Sequence, residues 1–184
     1  QGGMAAVLGL EDDIVRELCA KASNGEELVQ AANYNAPGQV VIAGSNAALE
    51  RAIEALKDAG AKRAMPLAVS APFHSALMRP AADKMAEALA GVTFNSPEIQ
   101  VLQNVDAGYH SNVDEIRSNL VAQMFSAVLW TETIQRLAAD DVTTVVECGP
   151  GKVLSGLTKR IDKSIQGLSI NSLESLTTTL ETLG

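Results

Sequence analysis

The chain has 184 residues, a formal net charge of −8 and 47% hydrophobic residues. This length fits one large domain or two small ones, and the composition is that of a globular protein rather than a disordered one. No apolar run reaches the roughly 18 residues of a membrane-spanning helix. The acidic balance disfavours binding to phosphate backbones and to anionic lipid, so we expect no nucleic-acid and no membrane partner.

Residues 1–68 predict the element order β-α-β-β-α-β, which is typical of a ferredoxin-like fold. Strands are expected at residues 4–8, 28–32, 39–43 and 62–67. Asp12 or Asp13 is expected to cap the first helix, in which Ile14, Val15, Leu18 and Cys19 share an apolar face. The second is expected to be capped by Ser45 and to share an apolar face of Leu49, Ile53 and Leu56.

Residues 69–184 show a different pattern of predicted secondary structure, in which helices and strands alternate without a hairpin signal. A loop at 70–74 precedes a helix that begins at Pro80, and a strand is expected at 99–102. Asn112 is expected to cap a helix, followed by a helix at 129–139, a strand at 143–147 and a helix at 153–161. The pattern predicts part of an α/β layered sheet, so we expect two domains, 1–68 and 69–184, packed directly.

The cysteines and histidines are few enough to weigh one by one. Cys19 and Cys148 lie far apart, and two free, buried thiols of a reducing compartment are favoured over a single disulfide. His74 lies in a stiff loop, where a structural role and a catalytic role both remain open, whereas His110 is expected at the surface. The spacing of these residues matches no metal site, so no metal is expected.

Two motif-like features have simpler interpretations. The segment 149–152, Gly-Pro-Gly-Lys, lacks the glycine spacing and the following Ser or Thr of a phosphate loop, so we interpret it as a turn before a helix. Cys148 follows an apolar strand and is interpreted as a buried thiol rather than a nucleophile. No Gly-x-Ser-x-Gly sequence occurs, so these residues do not complete a serine-based catalytic site.

Three blocks, 33–44, 72–78 and 147–154, closely resemble the malonyl-CoA:acyl-carrier-protein transacylases of bacterial fatty-acid synthesis. In that family a ferredoxin-like subdomain is inserted into an α/β-hydrolase-like one, so the resemblance implies an α/β fold with an α+β insert. The alternatives are an acyltransferase domain of a polyketide synthase, and a ferredoxin-like module that binds carrier proteins without chemistry.

The resemblance implies a two-step transfer in the cytoplasm, by a protein that is monomeric when complete. A serine takes the malonyl group from malonyl-CoA, and the phosphopantetheine thiol of acyl carrier protein then takes it from the serine. A histidine moves the protons. Malonyl-CoA is a substrate, and no cofactor is implied.

The resemblance also assigns roles to individual residues. His74 aligns with the catalytic histidine, and Gln123 with the position whose backbone carbonyl orients that imidazole. Phe73 aligns with a residue that selects malonyl over methylmalonyl units, because its ring fills the space of the extra methyl group.

Four further residues are assigned to substrate or carrier contacts. Asn33 and Asn35 are implied to contact CoA or the pantetheine arm, and a turn-capping role for Asn35 is equally open. Lys62 and Arg63 are adjacent cations in an acidic chain, for which contact with the carrier protein or CoA phosphates competes with a solvated surface role.

The family's Gly-His-Ser-x-Gly block is absent, as are its Gln-rich oxyanion loop and the arginine that pairs with the malonyl carboxylate. All three precede the matching segment in the family. We therefore expect that these 184 residues are part of a longer sequence, and that alone they transfer no malonyl group.

Overall fold

The computed structural model describes residues 2–184. The first six elements are β1 (Gly2–Leu8), α1 (Asp12–Ala22), β2 (Val29–Ala36), β3 (Gln39–Ser45), α2 (Asn46–Asp58) and β4 (Arg63–Pro66). The predicted order β-α-β-β-α-β is therefore the observed one. The strands form an antiparallel sheet in the order β2-β3-β1-β4, so β2 and β4 are its edges.

The remaining elements alternate between helices and short strands. They are a 3₁₀ helix (Ala76–Met78), α3 (Arg79–Ala90), β5 (Leu102–Gln103), β6 (Gly108–Tyr109), α4 (Val113–Ala122), α5 (Trp130–Ala139), β7 (Thr144–Cys148), α6 (Val153–Ile161), β8 (Gln166–Ile170) and α7 (Leu173–Leu183). Strands β5 and β6 pair antiparallel, whereas β7 and β8 pair parallel. The chain is thus an α/β protein with mixed sheets.

The main core lies between the four-stranded sheet and helices α1 and α2. Both helices place apolar residues at helical spacing, and this is the physical reason that they pack on the sheet. The most deeply buried side chains of this core are Val7, Val15, Cys19, Val40, Ile42 and Leu56. The predicted inner face of α2 is confirmed, but Ile14 of α1 is exposed rather than packed.

The chain divides into two compact units, one running through Trp130 and the other from Thr131 to Gly184. The boundary predicted from the sequence, between residues 68 and 69, separates a ferredoxin-like segment from an α/β segment. It stays a prediction. The division at residue 130 is defined by the contacts between segments of the folded chain, and the amino-acid composition does not change at this position.

Several sequence predictions were wrong in detail. The strand expected at 99–102 is reduced to the two residues of β5, and Ile99 is exposed. β5 and β6 form a hairpin where none was expected, and the final pair β8 and α7 was missed. Glu11, not Asp12 or Asp13, is the N-cap of α1. Ser45 is the N-cap of α2, as predicted, although its side chain makes no capping hydrogen bond.

Candidate active site

His74 lies in the loop between β4 and the 3₁₀ helix, with its backbone in the left-handed region at φ 59°. This conformation is costly for a residue with a Cβ, so neighbouring groups must hold it. Ser75 is one of them: only 2% of it is exposed, and its hydroxyl donates to the carbonyl of Pro72 at 2.7 Å. The loop is therefore built around a strained histidine.

The imidazole of His74 meets the end of helix α4. Its Nδ1 lies 2.8 Å from the backbone oxygen of Gln123, which is the C-cap residue of that helix. A carbonyl oxygen only accepts hydrogen bonds, so Nδ1 carries the proton and Nε2 of the neutral ring keeps its lone pair. The last carbonyls of a helix lack intrahelical partners, which is why the Gln123 oxygen can accept this hydrogen bond.

Strand β2 holds the segment that follows Gln123. The amide of Tyr34 donates to the carbonyl of Val128, and the amide of Val128 donates to the carbonyl of Ala32, each at 2.9 Å. The register of β2 against β3 slips at this point, leaving Ala32 as an extra residue. Such bulges change the direction of backbone groups. Here the carbonyl of Ala32 and the amide of Tyr34 bond to Val128, five residues after Gln123.

The residues beside this pair differ in exposure. The side chain of Phe73 is 40% exposed, so its ring is available to a ligand next to His74. The guanidinium of Arg79, at the start of α3, lies 4.3 Å from the ring centre of Phe125, two residues after Gln123. This cation–π contact is a second link between the loop of His74 and the segment of Gln123.

The other four predicted contact residues form two pairs, which lie at opposite edges of the four-stranded sheet. Asn33 and Asn35 are half-buried on β2, where Asn33 bridges to Val128 and Asn35 is an extra residue at a register slip. Lys62 and Arg63 are exposed at the start of β4, which is the opposite edge of the sheet. The structure thus brings His74 and Gln123 into contact and leaves the two cations on another edge.

His110 is only partly exposed, and it joins two elements. Its Nε2 lies 2.7 Å from a carboxylate oxygen of Asp106, and its Nδ1 lies 3.3 Å from one of Glu115. The hydrogen bond to the Asp106 carboxylate is the main cause that raises the pKa of His110. Burial opposes this rise, and the hydrogen bond to Glu115 adds to it. This arrangement ties the β5–β6 turn to helix α4.

The Gly-Pro-Gly-Lys segment leads into helix α6, as predicted, and Lys152 is the N-cap of that helix. The carboxylate of Glu147 accepts from the amide and hydroxyl of Ser155 at 2.8 and 2.9 Å, so it occupies the start of α6. Partial burial alone would raise the pKa of Glu147, but these hydrogen bonds lower it. The prediction of a buried Cys148 was wrong, because the thiol at the end of β7 is exposed, whereas Cys19 is buried.

The sequence reasoning missed Gln30, Arg79, Phe125 and Val128, which surround the histidine loop and its acceptor. Each is an ordinary residue of a strand, helix or loop, and none carries a motif. Tertiary contacts bring them together: the pairing of β2 with residue 128, the hydrogen bonds of Gln30 and the contact of Arg79 with Phe125. Across residues 2–184 the structure shows no cluster of three metal-ligating side chains, and it shows no helix long and apolar enough to cross a bilayer.

A histidine whose Nδ1 is held by an acceptor can use Nε2 to move protons, and enzymes that transfer acyl groups through a nucleophile use a histidine in this way. Residues 1–175 match the acyl transferase domain family. The chain belongs to that family.

Individual relatives point to one branch of the family. The chain is 51% identical to a malonyl CoA-acyl carrier protein transacylase of Haemophilus influenzae over 174 residues, which are 95% of this chain and 55% of that protein. A crystal structure of an acyl-carrier-protein S-malonyltransferase from Burkholderia pseudomallei 1710b superposes with a TM-score of 0.94 at 53% identity, covering 98% of this chain and 58% of that one.

A third relative carries its partner. This structure is described as a type II PKS acyl-carrier protein in complex with its malonyl-transacylase, and the match has a TM-score of 0.95 at 45% identity. It covers 98% of this chain and 58% of that chain. In all three comparisons the chain spans little more than half the length of the relative it matches.

Proposed function

We propose that this chain supplies the histidine base of an enzyme that transfers a malonyl group from malonyl-CoA to the phosphopantetheine thiol of an acyl carrier protein. The observation that carries the proposal is the 2.8 Å contact between His74 Nδ1 and the oxygen of Gln123. It leaves Nε2 as the only ring nitrogen able to take a proton from a nucleophile. The named relatives support the choice of substrate and partner.

The proposed reaction runs in two steps. His74 Nε2 removes the proton from a serine hydroxyl, the alkoxide attacks the malonyl thioester, and the imidazolium returns the proton to the leaving CoA thiolate. The same nitrogen then removes the proton from the carrier-protein thiol, and the thiolate attacks the carbonyl of the serine ester. The ester C–O bond breaks, and the imidazolium returns the proton to the serine oxygen. The chain has no Gly-x-Ser-x-Gly sequence, so we place the serine in a segment outside these 184 residues. No cofactor takes part.

The neutral acceptor suits this reaction. A carboxylate in the place of Gln123 would add a negative charge beside a substrate that already carries one. The backbone oxygen of Gln123, at the end of α4, orients the ring without placing a full negative charge beside the substrate.

The binding roles follow from position. Phe73 is exposed beside His74, and we assign to it the choice of malonyl over methylmalonyl units. Asn33 and Asn35, on the strand that holds residue 128, are assigned to CoA or the pantetheine arm. Lys62 and Arg63, exposed on the opposite edge, are assigned to the acidic carrier protein or the CoA phosphates.

We propose that residues 1–68 form a ferredoxin-like subdomain and that residues 69–184 belong to an α/β-hydrolase-like acyltransferase domain. The strand order β2-β3-β1-β4 with two helices on one face supports the first assignment. We also propose a cytoplasmic enzyme that is monomeric when complete. The free, exposed thiol of Cys148 agrees with a reducing compartment.

The test is transfer of radiolabelled malonyl from malonyl-CoA to a holo-carrier protein. The chain is expected to be inactive alone and active when fused to the serine-bearing segment of a related transacylase. In the fusion, His74→Ala is expected to lower kcat by at least about 10²-fold, the low end for a general base. His110→Gln is the matched control and is expected to leave kcat within about twofold.

Two results would contradict the proposal: malonyl transfer by the chain alone, or near-normal transfer by the His74→Ala fusion. Supplying a fatty-acid carrier protein and a type II polyketide carrier protein in parallel separates the two kinds of acyltransferase. A chain that binds either carrier protein but transfers nothing in the fusion would be a binding module instead.

The role of Phe73 has its own test. Phe73→Ser in the fusion removes the exposed ring and is expected to raise the kcat/KM for methylmalonyl-CoA relative to malonyl-CoA. One methyl group in an apolar site corresponds to about 10-fold in this ratio. Val92→Ser, which truncates another exposed apolar side chain, is the control. An unchanged ratio in Phe73→Ser would remove the selective role.

A further inference from the structure

Gln30 contacts the backbone on both sides of the histidine loop. It is half-buried on the edge strand β2, and its side-chain amide reaches a segment that lies 44 to 46 residues away. Its Nε2 donates to the carbonyl of His74 at 3.4 Å, and its Oε1 accepts from the amide of Ala76 at 3.0 Å. Both the amide nitrogen and the amide oxygen of Gln30 therefore form hydrogen bonds with this loop.

These two contacts fall where the loop needs support. The backbone of His74 is left-handed, which a non-glycine residue adopts only when its surroundings enforce it. Ala76 is the first residue of the 3₁₀ helix, and its amide has no partner within that helix. Gln30 satisfies that amide from another strand and also contacts the carbonyl of His74.

The same strand controls the acceptor of the imidazole. Two and four residues after Gln30, backbone groups of Ala32 and Tyr34 pair with Val128. Val128 follows Gln123 by five residues. β2 is thus bonded to the segment of His74 at one point and to the segment of Gln123 at the next, so it sets the separation between the ring and its acceptor.

We propose that Gln30 is a positioning residue: its amide holds the His74 loop so that Nδ1 faces the Gln123 oxygen and Nε2 faces the reacting groups. Its catalytic consequence rests on the proposed function, in which Nε2 moves the protons. Without the side-chain amide of Gln30, the backbone and the ring of His74 would adopt other orientations as well.

The structural part of the test needs no catalysis. The chain has two histidines, so long-range ¹H–¹⁵N spectra report on two imidazoles, and His110→Gln assigns them. In the unaltered chain we expect the Nδ1-protonated tautomer at His74. In Gln30→Met, which keeps the length but not the hydrogen bonds, we expect a mixture of tautomers and about fivefold faster exchange of the Ala76 amide.

Two variants separate a specific effect from a general one. Gln30→Glu keeps an oxygen for the Ala76 amide and loses the donor to His74, so it is expected to keep the slow exchange of Ala76 while shifting the tautomer. Gln135→Met changes an exposed glutamine of α5 and is expected to change neither.

The catalytic part uses the fusion described above. Gln30→Met is expected to lower kcat about tenfold while the KM for malonyl-CoA stays within about twofold, because a misoriented base affects the chemical step. An unchanged tautomer and unchanged Ala76 exchange would overturn the positioning role. So would a normal kcat in Gln30→Met when His74→Ala is inactive. If His74→Ala itself retains transfer, the proposed function fails, and the spectra still decide whether Gln30 holds the loop.

Discussion

The close approach of β2 to Gly44 makes a sharp test of how the sheet is packed. Gly44 lies on β3 opposite Val29, and its φ is not in the left-handed region, so a side chain is excluded by space alone. A Cβ built on Gly44 would lie 2.2 Å from the carbonyl oxygen of Leu28 and 2.6 Å from the Cα of Val29. Both are backbone atoms, which cannot rotate away.

The cost of Gly44→Ala follows from these distances. Non-bonded contact begins near about 3.5 Å, so the start of β2 must retreat by roughly 1 Å. The bond from the Ser45 amide to the Leu28 carbonyl, now 2.8 Å, would then be lost. Overpacking costs about 1–3 kcal/mol and a hydrogen bond about 1, while the removal of a glycine returns about 0.4–1. We expect a net loss of about 2–3 kcal/mol.

Urea denaturation followed by fluorescence of Trp130, the single tryptophan, reports on this unit. With a slope of about 1–3 kcal/mol per molar, the midpoint of Gly44→Ala is expected to fall by about 1 M or more. Gly91→Ala is the control, because Gly91 ends α3 at φ −90° with no atom within 4 Å of its built Cβ. Equal midpoints for Gly44→Ala and the unaltered chain would refute the packing argument.

Two further predictions concern titration and thiol reactivity. The carboxylates of Asp106 and Glu115 raise the pKa of His110, so its stabilising charge is present below the unfolded pKa of about 6.5 and is lost as pH rises through the higher folded value. The urea midpoint should fall between pH 6 and 8, and His110→Gln should flatten this part of the profile. Burial raises the pKa of Cys19 to about 12, whereas Cys148 is exposed. A thiol reagent at pH 8 should therefore label one cysteine in the folded chain and two in urea; two in the folded chain would contradict this burial.

Local signals predicted the order of the first six elements and the cap of α4, because each is encoded within its own segment. The inner face of α2 follows from apolar residues at helical spacing, and the cap of α4 follows from Asn112, whose side chain accepts from the amides of Asp114 and Glu115. Strand β2 was predicted too short because Asn33, Asn35 and Ala36 are of residue types that are depleted in strands. Residues 33–36 are extended since they pair with β3, which is a tertiary effect.

The candidate site was predictable only in part for the same reason. His74 is distinguished by a residue type that occurs twice in the chain, and the resemblance assigned Gln123 to it. The supporting residues have no such signal. Gln30 is one polar position in a strand, and its two partners lie more than 40 residues away, so its role depends on the fold.

The packing of β2 against β3 also affects the orientation of His74, because Gln30 lies on β2. The absence of a side chain at Gly44 allows the start of β2 to lie close to β3. Val29 is the residue of β2 that pairs with Gly44, and Gln30 follows Val29 directly. A shift of β2 by an ångström would move the Gln30 amide relative to His74 by a similar amount, which exceeds the tolerance of a hydrogen bond already at 3.4 Å. Gly44→Ala should therefore alter the His74 tautomer even where the chain remains folded, although residue 44 touches neither partner of the pair. A core glycine thus acts on the proposed base through one strand.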